Sequence, residues 1–81
     1  MMMLTLEQAI RTRILNLAKE RNLTINKVSM LSGMPHTTLL LFMNNETHDP
    51  RISTLLHICE AFNISLNEFF NDNIFEEVTA E

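Results

Sequence analysis

The side chains able to do chemistry are few. His36, His48 and His57 stand 12 and 9 residues apart, so no pair has the i, i+4 spacing that sets two imidazoles on one helix face. The one cysteine, Cys59, sits where a core residue is expected and adds no ligand pattern. No Ser, His and carboxylate fall into a nucleophile motif, and a single glycine excludes a Gly-rich phosphate loop. Neither an enzymatic activity nor a metal or cofactor is expected. What remains is recognition chemistry around residues 36–44. His36 falls in a first helical turn, able to reach a base or a phosphate. Leu39 to Met43 is apolar all round, where a helix with one face on a core should turn polar groups outward. For Leu40 and Leu41 three readings stand level: apolar contact with thymine methyl groups, a protein-binding or dimer patch, or one leucine packed beneath a neighbouring segment with the other exposed.

These residues need elements to present them, and the stretch 24–44 reads as two short helices joined by a glycine turn. Thr24 can cap the first with its side-chain oxygen, and Val28 and Leu31 form its inward face. Gly33 marks the one place where a left-handed turn is freely allowed. Met34 plugs the angle between the helices and Pro35 suits a helix start. Leu39 and Phe42 make the inward face of the second helix. This is helix-turn-helix grammar.

The flanks read as scaffold. A first helix over about residues 6–21 has a Thr5/Gln8 capping box, a core stripe of Ile10, Ile14 and Leu17, and Arg11, Arg13, Lys19 and Glu20 on outer faces. Asn22 suits a left-handed C-terminal position, from which Leu23 returns to the core. Residues 44–50, NNETHDP, form a polar surface loop. A fourth helix over about 52–62 turns Ile52, Leu55, Ile58, Cys59 and Phe62 inward and stops at Asn63. Ser65 and Glu68 make a second capping box for a fifth helix whose Leu66, Phe69 and Phe70 pack back on the bundle. The predicted fold is all-α, a compact five-helix domain over residues 1–70 with an acidic tail, 71–81, in which Ile74, Phe75 and Val78 can form a short extra helix. Met30, Met34 and Met43 read as gap-filling or half-exposed residues, and His57 as a surface residue.

Composition sets limits on function. Eighty-one residues make one small domain. With 46% hydrophobic residues a core is affordable, and with 20% charged residues disorder is not expected. One cysteine permits no internal disulfide, which fits a reducing cytoplasm. The longest apolar run has five residues, far below the ~18 of a membrane span, and the start lacks a signal peptide's basic lead and long apolar stretch. The net charge is −4, but it is segregated. Residues 1–59 hold all six Lys and Arg against four acids, and residues 60–81 hold six acids with no Lys or Arg. Such a balance allows nucleic-acid binding without demanding it.

Five helices in this order, the turn glycine at 33 and Pro50 before the fourth helix resemble the phage-repressor-like class of helix-turn-helix proteins, also called lambda-repressor-like or xenobiotic-response-element type. The resemblance spans about residues 6–70 and rests on LSGMPHTTL (31–39), ISLNEFF (64–70) and the DPRISTLLHICEAF run between them. It implies a sequence-specific transcriptional regulator whose third helix enters the major groove of double-stranded DNA, often as a homodimer on a palindromic site. Carried over by position, His36, Thr37, Leu40 and Leu41 would face the groove, with Thr38 an additional contact. Thr24, Asn44 and Arg51 would position phosphates. The chain departs from the family's habits at Ile25, where Gln is frequent, at Leu40 and Leu41, where polar or basic residues are frequent, and at Asn44-Asn45-Glu46, where Asn-Gly-Lys is common. Ala18 and Met43 stand where some members pair an Arg with a Glu. The scaffold is kept while the cationic groups thin out, so the alternative is a protein-interaction or dimerisation module on the same fold. No membrane or small-molecule partner is implied.

Overall fold

A computed structural model describes residues 4–44 and 50–79, the side chain of His36 excepted. Five α-helices follow one another: α1 Leu6–Glu20, α2 Ile25–Ser32, α3 His36–Met43, α4 Ile52–Phe62 and α5 Leu66–Phe70, with a closing 3-10 helix Asn73–Glu77. No strand occurs among the described residues, so the all-α expectation holds. Of the expected loop 44–50, residues 45–49, which include His48, lie outside the described residues.

Local chemistry fixes the helix ends. Gln8 N–H donates to the Thr5 hydroxyl at 3.2 Å and Thr5 N–H donates to Gln8 Oε1 at 2.9 Å, a reciprocal cap that satisfies two orphan donors of α1. Ser65 and Glu68 repeat it on α5. Lys27 N–H donates to Thr24 Oγ1 at 3.1 Å and starts α2. Three residues hold left-handed backbone, Asn22, Gly33 and Asn63, and each ends a helix. Asn is the non-glycine residue best suited to that region.

The core gathers Ile10, Ile14, Leu17, Val28, Leu39, Phe42, Leu55, Ile58, Cys59, Phe62 and Phe69. Three positions depart from the sequence reading. Leu31 is 48% exposed, because α2 buries Val28, Ser29 and Ser32 instead. The helix that α2 meets most extensively is α4, and small serines on the buried side of α2 suit such a contact. Serine is tolerated there because the Ser32 hydroxyl donates to the Ser29 carbonyl at 2.7 Å and accepts from Met34 N–H at 3.3 Å. Ile52 is 68% exposed since it opens the first turn of α4, at the end of the helix rather than over the core. Met30, 72% exposed, fills no gap.

A fourth departure is Arg13, expected on an outer face. Its stem lies against the body and its guanidinium is enclosed, donating from Nε to the Phe69 carbonyl at 2.7 Å, from Nη2 to the Glu68 carbonyl at 2.8 Å and from Nη1 to Asp72 Oδ2 at 3.1 Å. A cation at the C-terminal end of α5 meets carbonyls left over by the helix and complements its dipole. The same contact ties the last segment to α1. Phe75 then packs with Phe69 and Phe70 at ring-centroid distances of 6.1 and 4.9 Å, and Leu4 and Val78 form a single parallel bridge. The residues after α5 therefore rest on α1, while α3 rests on α2.

Two outcomes follow for urea unfolding. Gly33 has φ +73 and nothing within 4 Å of where a Cβ would stand, so the whole penalty for Gly33→Ala is conformational. It should cost about 1–2 kcal/mol, Gly33→Asn less, with the denaturant slope unchanged. Arg13→Met removes three bonds and should cost ~2 kcal/mol, whereas Asp72→Asn leaves both carbonyl bonds in place and should cost under ~1 kcal/mol. Equal losses from Arg13→Met and Asp72→Asn would mean that the ion pair, not the capping of α5, holds the last segment.

Candidate nucleic-acid interface

Among the described side chains Thr37 and Leu41 of α3 and its C-cap Asn44 are exposed, at i, i+4 and i+7, which is one strip along a helix. Leu39 and Phe42 occupy the opposite side inside the core, and Met43 packs against it. Thr38 and Leu40 are half-buried at the two borders of the strip. The apolar run therefore splits: Leu40 is partly covered while Leu41 is 42% exposed. Leu40 and Leu41 do not form one patch of equal standing. The backbone of His36 begins α3 after Pro35, but its side chain lies outside the description.

Around this strip the polar positions are open. Thr24 is exposed at the N-terminus of α2, where the helix leaves free N–H groups and the positive end of its dipole. Arg51 is exposed at the position that caps α4. Ile25, at a place where a polar side chain would be useful for phosphate contact, is instead half-buried against the core. Lys27, in the first turn of α2, is exposed and went unremarked in the sequence, although its place one turn beyond the capping Thr24 marks it as a cation at that helix start.

The distribution of cations narrows the electrostatics. Arg13 is committed to Asp72 and two carbonyls. Arg21 lies over the Phe62 ring at 5.5 Å and Arg11 over the Phe42 ring at 5.3 Å. Lys19, Lys27 and Arg51 are left exposed, with no ion pair to a carboxylate among the described residues. Glu76 and Glu77 are exposed on the closing 3-10 helix, which rests on α1 and not on α3. These two carboxylates thus sit on the segment that packs against α1. Ala18 is buried and Met43 half-buried, so the places where an ion pair was conceivable are filled by apolar packing.

Covalent and metal chemistry have little to work with. Burial pushes the Cys59 thiol up, and the nearby charge of Arg13 offsets this only in part, so the thiolate is scarce at neutral pH. Among the described residues no three of His, Cys, Asp and Glu converge. His57 is an exposed α4 residue 3.5 Å from Glu60. No described helix is long and apolar enough to cross a membrane. A shallow hollow of about 260 Å³, lined by Arg13, Leu17, Glu20, Arg21, Ile64, Glu68 and Asn71, lies between α1 and α5, and the Arg13 donors that face it are already used.

What the arrangement offers is a short exposed helix strip, held by a glycine turn and flanked by a helix N-terminus and two free cations. A family model described as the Cro/C1-type HTH DNA-binding domain matches residues 13–73, well over half of the chain and all of α2 to α5. No curated protein and no solved structure gave a match. Helix order, the left-handed turn and the family match agree, and the chain belongs to the Cro/C1-type helix-turn-helix DNA-binding domains.

Proposed function

We propose that this chain is a sequence-specific transcriptional regulator of the cytoplasm that binds double-stranded DNA as a homodimer, with α3 in the major groove. The observation that carries the reading is the outward strip of Thr37, Leu41 and Asn44 on a helix whose other side is locked into the core. Such a strip is left for a partner, and the family to which the chain belongs is a DNA-binding one. In this reading His36 and Thr37 meet base edges, with Thr38 beside them. Leu41, bordered by Leu40, meets thymine methyl groups, a contact that tells thymine from cytosine without a hydrogen bond. Thr24 with the α2 N-terminus, Lys27, Asn44 and Arg51 face phosphates and fix the register.

The scarcity of free cations has a consequence that can be measured. Two or three phosphates neutralised per chain are four to six per dimer, which gives a slope of log K against log salt of about −4 to −5 on duplex DNA. Affinity is then modest, and base and methyl contacts carry a larger share of it than in a basic regulator.

The test is a selection from a random duplex pool, followed by fluorescence anisotropy on selected and scrambled duplexes over a range of salt, with light scattering for the oligomeric state. Arg51→Gln should weaken binding to both duplexes alike and reduce the slope by about 0.9 per chain, about 1.8 for the dimer. Thr37→Ala should change the selected sequence and leave the slope as it was. An absence of salt-sensitive binding to every duplex would overturn the reading. If Leu41→Asn at the same time dissolved a dimer, the strip would instead be a protein interface, the use that its exposed leucine favours.

A further inference from the structure

We infer that Arg11, on α1, is the residue that fixes the C-terminal end of α3, and so acts as a positioning residue for DNA recognition. The inference rests on the reading of α3 as the helix that meets DNA. Among the described residues α3 is the α-helix with the poorest ends of its own. Pro35 gives it no side-chain cap bond, its first turn has no acid and its last turn no base, and Asn44 at its C-terminal end has φ −88 rather than the left-handed cap of α2 and α4. The last carbonyls of a helix need donors from elsewhere. Leu40 receives Asn44 N–H at 2.9 Å. Phe42 receives Arg11 Nη1, which donates to its carbonyl at 3.4 Å across 31 residues of sequence.

The same guanidinium lies 5.3 Å from the centroid of the Phe42 ring. One cation therefore grips one core residue twice, by its ring from the side and by its carbonyl at the helix end, where positive charge also suits the dipole. Phe42 is 2% exposed, so its ring cannot turn to follow the cation. The grip fixes where α3 ends, and with it where Asn44 stands. At its other end α3 is set by the Gly33 turn, so the Thr37–Leu41–Asn44 strip is strung between two anchors. Losing the second leaves the last turn of α3 free to fray. The strip then spans fewer base pairs and Asn44 loses its set place at a phosphate, while the cations Lys27 and Arg51 keep theirs.

The test uses the whole chain, labelled with nitrogen-15, as wild type, Arg11→Met and Arg11→Lys. Native-state hydrogen exchange is read by residue without DNA, and affinity is read on selected and scrambled duplexes over a range of salt. For Arg11→Met, exchange at the amides of residues 41–44 should rise on the order of tenfold while the amides of α4 and α5 keep their rates. Affinity for the selected duplex should fall about five- to tenfold and affinity for the scrambled duplex by less, about twofold, through the misplaced Asn44, with the salt slope unchanged because Asn44 carries no charge. Arg11→Lys, which keeps the charge over the ring but loses the fork, should recover part of both effects. Uniform acceleration of exchange would make Arg11 an ordinary stabilising residue and overturn the proposal. So would a slope reduced by about 0.9 per chain with both duplexes weakened alike, which would make Arg11 a phosphate contact. If the wild type binds no duplex at all, the regulator reading falls and Arg11 loses any role in binding, while the exchange rates alone still decide whether it holds α3.

Discussion

The presentation of α3 depends on one constraint: the left-handed turn at Gly33 must close while the small face of α2 stays pressed against α4. Ser32 couples the two. Its hydroxyl is buried, donates back to Ser29 and accepts the N–H of Met34 just past the turn. The α2–α4 contact and the entry into α3 thus share one side chain. Leu39 and Phe42 then drop into the core laid down by Val28, Leu55 and Ile58, and the opposite face of α3 stays exposed among the described residues. The exposed strip follows from where the core ends.

Charge is handled by the same economy. Of six cations, three work within the fold: Arg13 caps α5 and holds the closing segment, and Arg11 and Arg21 lie over phenylalanine rings. A net charge of −4 therefore understates both the acidity spread over the C-terminal quarter and the small number of free cations elsewhere. Because the closing segment is tied to α1 by the Arg13–Asp72 pair, to α5 by Phe75 and to the residue run before α1 by the Leu4–Val78 bridge, Glu76 and Glu77 are held at a fixed place on the molecule. Fields from such exposed carboxylates are screened by salt over roughly 8–10 Å.

Much of this could be read from the chain. Both capping boxes, all three left-handed caps and the spans of the five helices follow from residue types at fixed offsets, since caps and turns are local chemistry. The inward residues of α1 and α3 followed from helical spacing. Errors arose where tertiary packing overrides a local rule. Leu31 reads as core because it is apolar, yet α2 buries Ser29 and Ser32 instead, and the Ser32 hydroxyl is satisfied within the helix and turn. Ile52 was judged by its period without regard to its place at a helix end. Arg13 and Arg11 fall on outer faces by their spacing, and the structure draws both inward. Their partners lie 56 and 31 residues away, and no spacing rule links a cation to a distant carbonyl. At the candidate interface, Leu40 and Leu41 were indistinguishable in sequence and differ only by which side of α3 borders the body.

The central claim is that α3 and its flanks meet DNA. It is tested most directly by mapping amide chemical shifts of the nitrogen-15-labelled chain as a selected duplex is added. The account predicts the largest changes at residues 24–27, 36–44 and 51, with α5 and the closing 3-10 helix silent. Changes concentrated on the exposed face of α4 or on the closing segment, or no changes with any duplex, would contradict it.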